Sequence, residues 1–215
     1  MISIETLASV VLTILWLITI YIIVRRISQY GRRDPDNSVN GLCQHLRTIG
    51  IGASIVTIRF GGVNGQPHGL MDLVRAIIKL EGRDIDSINV VQTISGRYLD
   101  FIVRNSSPHD RIRSSNTRLI MKRSSRGNIL AFINIWSAKV VDVEWRGDAD
   151  LARELNLDDR LKYRLLDADL EPLRGILEIV PEPKYGCTRI RTSYFLPTTE
   201  LFDILETIAK HIKSV

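Results

Sequence analysis

The strongest pattern along this chain is an unbroken apolar run, Thr6–Val24 (TLASVVLTILWLITIYIIV), with Glu5 before it and Arg25 and Arg26 after it. A helix rises about 1.5 Å per residue, so about 19 residues reach across the ~30 Å hydrocarbon core of a bilayer. Basic residues flank only its C-terminal side: Arg25, Arg26, Arg32 and Arg33. By the positive-inside rule that puts the N-terminus outside the cell membrane and residues 25–215 in the cytoplasm. A cleaved signal fits less well, because no basic residue precedes the run and no small-residue cleavage pattern follows it. The expectation is a single-pass transmembrane anchor over 1–26, a polar juxtamembrane linker over 27–40, and a cytoplasmic domain over 41–215.

Past the linker, apolar periods of two and of 3.6 alternate. Gly41–Ile49 predicts a short docking helix, and Ala53–Phe60 (ASIVTIRF) a strand rich in β-branched residues. In Leu70–Leu80 the apolar set Leu70, Leu73, Val74, Ile77 and Ile78 has helical spacing, with Gly82 as its stop. Ser87–Ile94 and Arg97–Arg104 predict two strands joined around Ser95-Gly96. Arg118–Lys122, Ile129–Trp136 and Lys139–Trp145 predict three more, with Ser124–Asn128 suited to a hairpin link. In the last of these, Val141, Val143 and Trp145 alternate with Asp142 and Glu144.

Asp148–Leu166 predicts two short helices capped by Asp148 and Asp158. Gly175–Val180 and Thr188–Phe195 predict strands, and in the second Ile190, Thr192 and Tyr194 lie opposite Arg189, Arg191 and Ser193. Thr198–Lys213 closes the chain as an amphipathic helix with the stripe Leu201, Phe202, Leu205, Ile208, Ala209 and Ile212. Strands outnumber helices and most links are short. The fold class expected is therefore α+β: an N-terminal spanning helix, then a mainly antiparallel sheet with packed helices. A strand–loop–helix echo between 56–80 and 188–213 raises the option of two related halves.

Composition changes the picture in one respect. The net charge of +5 hides a split: residues 1–139 carry 18 basic against 9 acidic side chains, and residues 140–183 carry 6 against 12. A basic front and an acidic middle can orient a protein at an anionic leaflet or serve pairing between subunits. Cys43 and Cys187 lie far apart and read as free thiols; Cys43-x-His45 lacks the second half of a zinc site. No metal or other cofactor is indicated.

Two stretches are candidate sites. Gly61–Gly69 (GGVNGQPHG) links a predicted strand to a predicted helix, where backbone N–H groups could hold a phosphate. Arg59, Gly61, Gly62, Gly65 and His68 would line it, although neither a P-loop nor a dinucleotide fingerprint is present. The second is the serine-rich basic stretch containing Arg111, Arg113, Arg118, Lys122, Arg123 and Arg126. With Arg25, Arg26, Arg32 and Arg33, it offers contact to an anionic membrane surface. Nucleic acid is disfavoured: the stretch has no aromatics for base stacking. Asp150–Leu166 superficially resembles a helix-turn-helix, but Asp158 and Asp159 would face phosphates with negative charge.

No G-x-S-x-G or H-E-x-x-H motif occurs, although a dispersed triad would leave no local pattern. The reading is a membrane-anchored protein whose non-enzymatic domain binds a protein partner or forms a homo-oligomer. A membrane-tethered enzyme or sensor taking a phosphate-bearing ligand at Gly61–Gly69 is the alternative.

Overall fold

Among the described residues, strands outnumber α-helices eight to four. The computed structural model describes residues 13, 16, 35–58, 73–93, 95–104, 115–123, 140–173 and 175–214. The chain divides into two compact units, Met1–Ser38 and Val39–Val215. In the first, Thr13 and Trp16 are helical and exposed.

The second unit holds eight strands: β1 (Ala53–Ile58), β2 (Leu73–Leu80), β3 (Ser87–Gln92), β4 (Arg97–Arg104), β5 (Thr117–Arg123), β6 (Val140–Arg146), β7 (Leu177–Glu182) and β8 (Cys187–Ser193). They form one sheet in the order β1-β2-β3-β4-β8-β7-β5-β6, and every neighbouring pair is antiparallel. Among the described residues four α-helices accompany it: α1 (Pro35–Thr48), α2 (Ala149–Leu157), α3 (Asp159–Asp167) and α4 (Thr199–Ser214).

The α+β character and the antiparallel sheet agree with the pattern in the sequence. The spanning helix does not survive. Among the described residues, no helix is long and apolar enough to cross a membrane. Apart from Thr13 and Trp16, the run Thr6–Val24 lies outside those residues. The architecture supported is the eight-stranded sheet with four helices, and the transmembrane anchor is withdrawn from it.

A second correction concerns Leu70–Leu80, expected as a helix. Leu73–Leu80 is strand β2, paired with β1 on one side and β3 on the other. Val74, Ala76, Ile78 and Leu80 are buried while the residues between them are exposed or half-buried. A short apolar run fits both periods, and pairing on two sides decided for the strand. The strand–loop–helix echo thereby loses its first helix. The expected strand Ile129–Trp136 lies outside the described residues.

Pro35 opens α1, so that helix begins earlier than the expected Gly41; proline suits the first helical turn because the N–H it lacks would have no helical partner there. Aspartates start the next two helices as expected: Asp148 Oδ1 accepts from Leu151 N at 3.2 Å, and Asp158 Oδ1 from Leu161 N at 2.9 Å. Thr198 does the same for α4 through Leu201 N.

The buried faces of all four helices and one parity of the strands join in a single apolar core. Its centre is aromatic: Phe101 of β4 and Phe202 of α4 meet edge to face at 6.3 Å between centroids. Burial does not stop at that face. On β3, Asn89 and Val91 alternate with the core residues Ile88 and Val90, and all four are buried. Asp100 and Ile102 on β4, and Arg189 on β8, repeat the pattern. These three central strands are enclosed on both sides.

Gly147 sits where β6 turns into α2, with φ 143°, and a Cβ there would overlap the Asn116 carbonyl oxygen and crowd Thr117. Only glycine fits both the backbone and the space. Gly147→Ala is expected to cost roughly 2–4 kcal/mol in urea unfolding, the sum of backbone strain and overpacking.

Candidate functional site

The sheet face opposite the apolar core gathers the buried charges of the described residues, Asp100 and Arg189. Register sets Asp100 of β4 between Asn89 of β3 and Arg191 of β8. Strand parity aims all three to one side, where Arg189 lies one pleat further along β8. Arg191 grips the Asp100 carboxylate in bidentate fashion: Nε donates to Oδ1 at 2.8 Å and an Nη to Oδ2 at 2.8 Å. Arg189 Nη1 donates to the same Oδ2 at 3.1 Å, and its Nε lies 2.9 Å from Glu182 Oε1 on β7. The Arg191 guanidinium also lies over the Tyr98 ring, 5.4 Å from its centroid.

Asp100 is fully buried and Arg189 is 8% exposed, so the charges must balance locally. Among the described residues, two arginines face two carboxylates, Asp100 and Glu182. Both Asp100 oxygens accept hydrogen bonds from guanidinium donors. Its work is to hold β4 against β8.

Sequence reasoning placed Arg189 and Arg191 on one strand face but missed Asp100. A signal was there. In RYLDFIVR it is the only acid, standing between apolar residues in a strand whose two neighbours are themselves strands.

The expected sites fare differently. Arg59, Gly61, Gly62, Gly65 and His68 all lie outside the described residues, as do Arg25, Arg26, Arg32, Arg33, Arg111, Arg113 and Arg126. Arg118, Lys122 and Arg123 fall on β5. Lys122 is matched by acids of β6, with Asp142 at 3.1 Å and Glu144 at 3.9 Å. Asp142 also takes Lys162 of α3 at 2.9 Å, and these two lysines, Lys162 first, hold its carboxyl down to about 2. Arg118 is exposed and sits opposite Glu178 of β7. The basic stretch and the acidic middle therefore meet on neighbouring strands of this chain.

Cys43 and His45 part company. The Cys43 thiol points at the Ala53 carbonyl, 3.6 Å away, and His45 Nε2 bonds to the Pro197 carbonyl at 2.8 Å, tying α1 to the entrance of α4. Cys187 is buried, and burial pushes its thiol up to about 11, far from a reactive thiolate. Among the described residues no group of three or more His, Cys, Asp or Glu side chains comes together to hold a metal.

No family model, no curated protein and no solved structure matches the chain.

Asp100→Asn keeps the shape but leaves two enclosed guanidinium groups short of one counter-charge. The expected loss is about 3–5 kcal/mol in chemical unfolding, far above that of any exposed pair such as Arg153–Asp150. Equal effects of Asp100→Asn and Asp150→Asn would refute the role given to Asp100.

Proposed function

We propose that this chain is a non-enzymatic assembly module that pairs with a second copy of itself along the outer edge of β1. The contrast between the two ends of the sheet carries the reading. At β6, Asn156 of α2 donates to the Trp145 carbonyl at 2.9 Å and accepts from the Trp145 N–H at 2.8 Å. That side chain takes the place of a neighbouring strand, and Asp142, Glu144 and Arg146 add charge. Such devices discourage pairing.

β1 carries less of this chemistry. Its sequence, ASIVTI, has no charge and no proline. Among the described residues, the cover on its outer side is Arg47 Nε, 2.7 Å from the first carbonyl, that of Ala53. Beyond Ala53, described residues bond β1 on its β2 side alone. A bulge between Ile55 and Thr57 turns Val56 outward, 61% exposed.

An uncharged strand meets an antiparallel copy of itself with no like charges opposed, and main-chain bonds supply the affinity. A two-fold pairing of this kind is isologous and closes on itself. The ligand alternative at Gly61–Gly69 falls outside the described residues.

Sedimentation of the full chain over a range of concentrations tests this. A concentration-dependent dimer is expected, and Val56→Lys should weaken it at least tenfold, about 1.4 kcal/mol. A monomer at every concentration, or a dimer indifferent to Val56→Lys, overturns it.

A further inference from the structure

His211, in the last turn of α4, stands between two carboxylates. Its Nδ1 lies 3.0 Å from Glu154 Oε1 of α2, and its Nε2 2.9 Å from Asp158 Oδ2 in the elbow between α2 and α3. A neutral imidazole has one N–H; its other nitrogen would set a lone pair against a carboxylate. Only the imidazolium, with a proton on each nitrogen, satisfies both contacts. We propose that His211 is a pH-sensitive clasp, which fastens the end of α4 to the α2–α3 elbow while doubly protonated and lets it go when one proton leaves.

The surroundings suit that role. Asp158 terminates α2 and caps α3 through Leu161, so one residue fixes the elbow and receives the clasp. Ser214 Oγ donates to Glu154 Oε1 at 3.2 Å, closing the same corner. Other charges near it are spoken for: Arg164 of α3 turns to Thr207 Oγ1 at 3.2 Å, and Lys213 of α4 to Asp84 at 3.3 Å in the β2–β3 loop. The last turn also carries Ile212, 6% exposed and part of the core. Unfastening it bares apolar surface.

Burial draws the His211 pKa down, but the hydrogen bonds to Glu154 and Asp158 more than offset it, and the imidazole titrates above its usual 6.5. Its folded pKa is raised, so its contribution to stability is complete below about pH 6.5 and disappears as pH climbs through the folded value. Asp158, held below its usual range, keeps the clasp closed on the acid side.

Carbon–proton NMR titration of the His211 ring in the intact protein tests the proposal, alongside hydrogen exchange of the Ile208–Ile212 amides corrected for intrinsic rates. The midpoint should lie above 6.5, and Glu154→Gln should lower it by about one unit, a tenfold drop in proton affinity. Last-turn protection should fall across the midpoint in the native chain and be independent of pH in His211→Gln. A midpoint at or below 6.5, or native last-turn protection that does not change across it, overturns the clasp.

Discussion

A carboxylate enclosed at the centre of a sheet must be matched or the sheet does not form, and Asp100 places that demand on this fold. It stands on β4, the last strand of the meander β1–β4, and its arginines stand on β8, the innermost strand of the other half. The β4–β8 seam is where the two runs of strands become one sheet. An ion cluster of this kind adds little net stability over an apolar pair, because desolvation consumes most of the attraction. What it adds is register. A one-residue slip of β4 would turn Asp100 into the apolar core and Phe101 out of it, while Arg189 and Arg191 stayed on the opposite face.

The same logic explains the uneven charge of the sequence. Basic and acidic segments look like surfaces awaiting different partners when the chain is read end to end. Folded, β5 lays Lys122 beside Asp142 and Glu144 of β6, and β7 sets Glu182 beside Arg189 of β8. These contacts are intrachain and antiparallel. They leave β1 as an edge strand with no charged residue of its own.

Much of the fold was legible because local chemistry agreed with it. Asp148, Asp158 and Thr198 cap where they should, and the stripe from Leu201 to Ile212 is buried as its spacing required. The strands β3 to β8 fall within a few residues of the runs that predicted them. What failed was decided at long range. Leu73–Leu80 had apolar residues compatible with a helix, and pairing with β1 and β3 overruled them. The apolar run Thr6–Val24 gave a membrane reading on hydropathy alone, a test no described helix meets. The site was least legible of all, since Asp100, Arg189 and Arg191 are separated by about ninety positions and meet only through strand order.

If the Asp100 seam makes one cooperative body of the sheet, both halves should open together. Native-state hydrogen exchange of the full chain, followed by mass spectrometry under mild denaturant, tests this directly. The account predicts that the slowest amides of β3 and β4 and those of β7 and β8 converge on one opening free energy with one denaturant dependence. Two separate opening energies, with β1–β4 exchanging while β5–β8 stay closed or the reverse, would contradict it.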